Sequence, residues 1–349
     1  MDSLTHVVLG ATVAQTVSNE KLGKTALLIG AIAGNIPDFD MLVTPFFKPA
    51  DAMFIHRGFS HSFLLLVILA PLIAGCLKYL FRSKKVSYFT WLAVVGLPWF
   101  SHLIVDIFNT YGTALFEPFN ATRISYDSVA IIDAVILLIL IPTVILLFWI
   151  KNWKRKRNIS ITSVILVSLY FVLSIFIKEN INQTVKQELN EQKVAYTRIY
   201  TTPLPLNNII WLVLVENNNE YTIWKHNVVS GANSHINYIR KNSQLLSKIT
   251  PNNDVDKLMD FTKGFYSVGK LPNEIFCIHD LRFASLGALP PASYGLTFVI
   301  KKEKDELLVT RSHPKRNITL SNIANLINEI LTNTNPQKNL PNQSLPQTN

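Results

Sequence analysis

The sequence predicts a multi-pass α-helical membrane bundle followed by an extracytoplasmic α+β domain. Three observations carry that expectation. Apolar runs of about 20 residues crowd the first half of the chain. Basic residues collect in alternate connections between those runs. After residue 178 the composition turns polar and takes on a strand-and-turn pattern.

The chain has 349 residues, 49% hydrophobic and 16% charged, which excludes a disordered or collagen-like protein. Its two cysteines, Cys76 and Cys277, lie far apart, so a CxxC redox pair or zinc knuckle is excluded. The net charge of +10 by itself invites a nucleic-acid partner. Its distribution along the chain removes that reading.

The first two apolar stretches, 7–17 and 25–36, are short and rich in Gly and Ala. Gly30-Ala31-Ile32-Ala33-Gly34 has the small-xxx-small spacing that lets helix backbones approach closely in lipid. The chain start, MDSLTH, has no basic segment and does not read as a cleavable signal peptide. Four longer runs follow. Residues 62–81 hold one late lysine, Lys78, and 87–108 carry His102 and Asp106 near their end. Residues 128–150 hold Asp133 near their start, and 161–177 hold no charge. Each of the four has the length a helix needs to cross a bilayer.

The connections set the expected orientation. Lys21 and Lys24, then Arg82, Lys84 and Lys85, then the run 151–157 with five basic residues fall on one side. The positive-inside rule makes that side cytoplasmic. The chain start and the long C-terminal part are then extracytoplasmic, in a cell (inner, cytoplasmic) membrane. The basic run wedged between two spans suits lipid headgroups, so membrane lipids are expected partners and nucleic acid is not. All acids before residue 178 except Glu20, and all four histidines there, fall on the outer side.

Those outer ionisable residues form the candidate site, because such groups at membrane depth are costly and mark function. His102 and Asp106 are spaced i, i+4, on one face of a helix, which suits either two metal ligands or a hydrogen-bonded pair. Pro37 ends the second stretch, and Asp38 and Asp40 sit on the turn that follows, as ligands or as a capped turn. His56-Arg57-Gly58-Phe59-Ser60-His61-Ser62 opens the third stretch, with Gly58 permitting a tight turn and Ser60 a candidate helix cap. His6 stands just before the first stretch, either as a ligand or, with Asp2, Ser3 or Thr5 capping the helix, as an interfacial residue. Asp133 is either an outer partner for a ligand histidine or a helix N-terminal charge.

Imidazoles and carboxylates without thiolates suit Zn, Mn or Fe. Seven candidate ligands, His6, Asp38, Asp40, His56, His61, His102 and Asp106, are enough for a two-metal site. Asp38 or Asp40, if not a ligand, can serve as general base. Arg57 either clamps an anionic oxygen or extends to headgroups.

These motifs, with Thr110-Tyr111-Gly112 after them, resemble the YdjM-type membrane-bound metal-dependent hydrolases, prokaryotic inner-membrane proteins, over residues 1–150. Residues 277–283 (CIHDLRF) are similar to a segment of some longer members. A more distant likeness is to the helical zinc-dependent phospholipase C and nuclease group. That likeness implies metal ligation by His6, Asp38 or Asp40, His56 or His61, His102 and Asp106. The function expected is an integral-membrane hydrolase in which metal-activated water attacks a phosphoester or ester, lipid-linked if depth is the guide, at the outer face. The alternatives are a non-enzymatic membrane protein that binds or transports metal, and an adaptor whose outer domain binds a partner.

The expected division is a transmembrane domain over 1–178, an extracytoplasmic α+β domain over 179–333 and a disordered tail over 334–349. Helical pieces fit 179–193, 242–249, 255–262 and 320–331; strands fit 194–201, 209–215, 221–229, 275–279, 294–301 and 307–311. His226, His235, His279 and His313 show no ligand spacing, so ordinary roles are expected for them.

Overall fold

Helices α1 (Ser3–Val17) and α2 (Lys24–Ala33) pack backbone against backbone. A methyl group placed on Gly30 would lie 2.3 Å from the Ala14 side chain and 2.4 Å from the Gly10 carbonyl, so only hydrogen fits there. The small-residue spacing therefore does what it predicts, and Gly10 on α1 is the partner that completes it. The structure is a computed structural model that describes residues 1–283, 289–303 and 306–312, with Ala324, Leu326 and Ile330 beyond them. They divide into one unit of Met1–Phe47 with Ala52–Ser174 and a second of Lys48–Asp51 with the chain from Ile175 onward.

In the first unit, α2 leads through Gly34 into 3-10 turns at Pro37–Leu42 and Thr44–Phe46, bent by 54° from the helix. The short helix α3 (Pro49–Ile55) and a 3-10 turn at Phe59–His61 follow. Then come α4 (Phe63–Leu80), α5 (Tyr88–Asp106), α6 (Ala134–Trp149) and the start of α7 (Trp153–Glu191). Helix α5 is central. It packs against α1, α2 and α4, and its Trp91, Val94, Val95, Trp99 and Leu103 are fully buried. By contrast, Leu72 of α4, Leu138 of α6 and Phe176 of α7 face outward, as on helices solvated by lipid.

Three helices, α4, α5 and α7, are long and apolar enough to cross a membrane. The bent pair of α2 with the turns after it makes a fourth candidate, as a broken span or re-entrant loop, while α1 and α6 are shorter. The run expected over 128–150 starts its helix late. Asp133 caps α6, its carboxylate accepting from the amides of Val135 and Ile136 at 2.9 and 3.2 Å. The residues before it are extended, with the Ser128 and Val129 amides donating to the Phe108 carbonyl. Tyr170 donates to the other Asp133 oxygen at 2.7 Å. The runs expected separately over 161–177 and 179–193 are one helix of 39 residues, α7.

The second unit holds two four-stranded antiparallel sheets in sequential order. The first comprises β1 (Arg198–Pro203), β2 (Ile210–Asn217), β3 (Glu220–Asn227) and β4 (Asn237–Arg240). The second comprises β5 (Tyr266–Leu271), β6 (Ile275–Asp280), β7 (Leu296–Glu303) and β8 (Glu306–Ser312). A 3-10 turn at Ser243–Lys248 and helix α8 (Asn253–Phe261) stand between the sheets in the chain. β2 is buried on both faces. Trp211, Val213 and Val215 meet Ile181, Val185 and Leu189 of α7, whereas Leu212 and Leu214 join Tyr221, Ile223 and Phe265.

The segment 277–283 is structural here. Arg282 grips Asp280 through two nitrogens at 3.0 and 2.7 Å, with both side chains fully buried. His279 stacks on Tyr294 at 3.7 Å with Nδ1 2.8 Å from the Thr297 hydroxyl, and burial pushes its pKa down to about 4. His226 meets Asn233, and His235 is exposed. The tail over 334–349 and His313 lie outside the described residues. So does most of the helix expected over 320–331, where Ala324, Leu326 and Ile330 are helical.

Candidate metal centre

Four chain segments bring the candidate ligands together. The first turn of α1 carries His6, and Asp2 caps that helix by accepting from the Thr5 amide at 3.1 Å. The 3-10 turn after α2 carries Asp38 and Asp40, Pro37 opening it. The Phe59–His61 turn carries His61, and the last turn of α5 carries His102 and Asp106. His6, His61, His102 and Asp106 are no more than 1% exposed.

The centre of the cluster is a set of four atoms: His61 Nε2, His102 Nε2, Asp38 Oδ1 and Asp106 Oδ2. The two nitrogens are 3.0 Å apart. His61 Nε2 lies 3.4 Å from Asp38 Oδ1 and 3.5 Å from Asp106 Oδ2; for His102 Nε2 the distances are 3.7 and 3.5 Å. Four ligand atoms at roughly 2.0–2.2 Å from a tetrahedral ion stand about 3.3–3.6 Å from one another. Three of these five separations fall in that range and the other two within about 0.3 Å of it, so the set is of a size that could hold a metal ion.

The protons argue the same way. His102 Nδ1 is 2.7 Å from the Gly34 carbonyl, which can only accept, so Nδ1 carries the proton. Ser60 donates to Asp40 Oδ2 at 2.5 Å and so accepts from His61 Nδ1 at 2.8 Å. The two Nε2 atoms then face each other beside two carboxylate oxygens. Two buried carboxylates converging on two imidazoles call for positive charge among them. Neither Asp38 Oδ1 nor Asp106 Oδ2 has a hydrogen-bond partner of good geometry among the described residues. The residues present fit a divalent metal, and the groups behind His61 and His102 would be the outer supports that orient imidazoles holding it.

The remaining sequence candidates surround this set. His6 stacks on His102 at 3.5 Å, its Nε2 3.2 Å from Asp106 Oδ1. Asp40 stands behind His61 and also takes His56 Nδ1 at 2.8 Å and the Arg57 amide at 3.1 Å. Asp40, His56 and His61 make a second group of metal-binding dimensions. Burial holds the His56 imidazole below its ordinary pKa, against the pull of Asp40. Arg57 does not extend to headgroups. It is buried, with Nε 3.1 Å from Asp106 Oδ2 and its other nitrogens donating to Asn109 at 2.5 Å and the Met1 carbonyl at 3.3 Å.

Two local features differ from expectation. Ser62 caps α4, accepting from the Leu65 amide at 3.1 Å, which frees Ser60 to join Asp40 and His61. The left-handed residue of the turn is Arg57 (φ 62°) rather than Gly58. Gly58 is needed for space, because a methyl there would lie 2.5 Å from the Phe54 carbonyl.

Sequence reasoning missed four contributors. Asn109 links Arg57 to Asp106, and its i+3 spacing from Asp106 was a legible signal. Ser3 donates to Asp38 Oδ2 at 3.3 Å. The Gly34 carbonyl carries no side-chain signal at all. Arg123 reaches the carbonyls of Phe54 and His56 at 2.9 Å each, a long-range contact that spacing does not encode.

No solved structure matches the chain. An uncharacterized protein of Bacillus subtilis (strain 168), YfhP, is 27% identical over 209 residues, covering 56% of this chain and 62% of that protein. The chain thus spans less than two thirds of the length of the relative it matches. Residues 1–181, more than half of the chain, match the YdjM inner membrane protein family. Every residue of the cluster lies in that span, and the chain belongs to the YdjM family of inner membrane proteins.

Proposed function

We propose that this chain is an integral-membrane metal-dependent hydrolase that cleaves a phosphoester or ester at the outer face of a prokaryotic cytoplasmic membrane. The observation that carries the reading is the convergence of two histidine Nε2 atoms and two carboxylate oxygens in one buried set. His61, His102, Asp38 and Asp106 are the residues that would hold the ion, and the donor set suits Zn, Mn or Fe. Such an ion supplies a Lewis acid and lowers the pKa of a water molecule toward neutrality.

The chain's own residues do the rest. Asp40 and Ser60 fix the His61 tautomer, and the Gly34 carbonyl fixes that of His102. Arg57 holds the Asp106 carboxylate in place and is a positioning residue. His56 is the most exposed of the four imidazoles, and Asp40 occupies its Nδ1. That leaves Nε2 as the atom that accepts a proton during turnover. The partition of basic and acidic residues between loops supports placing this end of the bundle, with the second unit, outside the cytoplasm.

The test uses detergent-purified full-length protein, stripped with EDTA and reloaded with Zn²⁺ or Mn²⁺, against bis(p-nitrophenyl) phosphate and p-nitrophenyl acetate. Hydrolysis of at least one probe should vanish on stripping and return on reloading. Asp40→Asn should weaken metal binding by about 10–100-fold while the thermal melt stays cooperative. Full metal loading without hydrolysis, together with metal uptake into proteoliposomes, would establish a transporter instead. A reporter fused after Asn190 should read as extracytoplasmic; a cytoplasmic signal inverts the orientation.

A further inference from the structure

The turns that hold the cluster also carry apolar side chains outward. In Pro37–Leu42, Asp38 and Asp40 are buried whereas Phe39, Met41 and Leu42 are exposed. From Met41 to Phe47 the chain carries no charge, and Phe46 is 85% exposed. In the next turn Phe59 is exposed beside inward-pointing Ser60 and His61. The loop after α5 adds Phe116 and Phe119, the latter 83% exposed.

Several strongly exposed aromatics at one end of a fold are rare on water-facing surfaces and mark a partner or a membrane. Here the structure identifies which. Phe116 packs edge-on against Phe63 at 5.8 Å, and Phe63 stacks on Phe100 at 6.0 Å. Phe63 begins α4 and Phe100 belongs to α5, both long and apolar enough to span a bilayer. At Phe116 the apolar rim therefore joins two helices that are candidates to face lipid. The chain segment bearing Asp38 and Asp40 is itself half of a bent apolar pair with α2.

We propose that this rim lies in the outer leaflet and that the site takes a membrane-resident amphiphile, its ester or phosphoester head at the His/Asp cluster and its tail along Phe39, Phe46, Phe59 and Phe119. The inference rests on the hydrolase reading for the reaction and on the rim alone for the substrate class. A water-soluble ester has no use for seven uncharged residues between Asp40 and Lys48.

Two measurements separate these parts. In the first, benzoylphenylalanine replaces Phe46 or Phe119 in full-length protein reconstituted into phosphatidylethanolamine–phosphatidylglycerol vesicles, with Tyr238 of β4 as the control position. Irradiation should give phospholipid adducts at 46 and 119 and none at 238. Adducts to a second copy of the chain, or no lipid adducts, would overturn the proposal. In the second, wild type and Phe46→Ser/Phe119→Ser are compared on a long-chain ester in vesicles and a short-chain soluble ester with the same head. The vesicle rate should fall at least tenfold and the soluble rate less than twofold; an equal loss on both overturns the substrate class. A metal-loaded wild type that cleaves neither ester defeats the hydrolase reading and the amphiphile substrate with it, while the lipid adducts still decide where the rim lies.

Discussion

Asp106→Ala abolishes metal retention and destabilises the first unit by about 3–5 kcal/mol, the usual cost of removing one partner from a buried ion pair. The carboxylate is fully buried among positive and imidazole groups. One oxygen faces the Met1 amino group and His6 Nε2, and the other faces Arg57 Nε, His61 Nε2 and His102 Nε2. Without it, Arg57 is left buried without its ionic partner and the set of four candidate ligand atoms loses one. Metal analysis of purified protein, with thermal melts in detergent, checks both effects. His61→Ala should also lose the ion, with a smaller change in melting because Arg57 keeps its Asp106 partner. Equal metal content in wild type, His61→Ala and Asp106→Ala would falsify the shared site.

Gly30→Ala is expected to be nearly as damaging, for a reason unrelated to charge. In an ordinary helix the exchange gains about 1 kcal/mol of helix propensity. Here the added methyl would fall 2.3 Å from the Ala14 Cβ and 2.4 Å from the Gly10 carbonyl, and neither can swing aside. Overpacking of this kind costs about 1–3 kcal/mol or more, so the net effect is destabilising. The larger consequence is at the site. Parting α1 from α2 moves His6 on one helix away from the Gly34 carbonyl that holds His102 on the other. Metal content should therefore fall together with the melting temperature. Gly75→Ala in α4 is the matched control, because nothing lies within 4 Å of its added methyl. If Gly30→Ala melts and binds metal like Gly75→Ala, the packing argument fails.

The residues of the cluster were legible because metal chemistry would constrain both residue type and spacing. His102 and Asp106 could be placed on one helical face from four-residue spacing alone. What could not be read was which atom faces which. Asp40 and Asp38 are equivalent in sequence, yet one stands behind His61 and the other beside its Nε2, a distinction made by the 3-10 turn. Arg57 looked free to reach an anion; its burial follows from Asn109 and the Met1 carbonyl, contacts 52 and 56 residues away. Among strands, β4 has only four residues, too few for an alternating pattern, and β5 contains Gly269, which reads as a break. The late start of α6 was hidden because hydrophobicity continues through Ser128–Asp133 while the backbone does not coil there.

Helix α7 has a consequence for where this chain can be cut. At 39 residues it is about 58 Å long, nearly twice the thickness of a bilayer's hydrocarbon core. Its far portion is no passive stalk, since Ile181, Val185 and Leu189 cover the Trp211–Val215 face of the first sheet. A secreted fragment beginning at β1 would expose two tryptophans, Trp211 and Trp224, and would tend to aggregate. One beginning near Ile175 would keep its lid but carry away a piece of the anchor. The first sheet of the second unit is roofed by the same continuous helix whose earlier residues are apolar enough to cross a membrane.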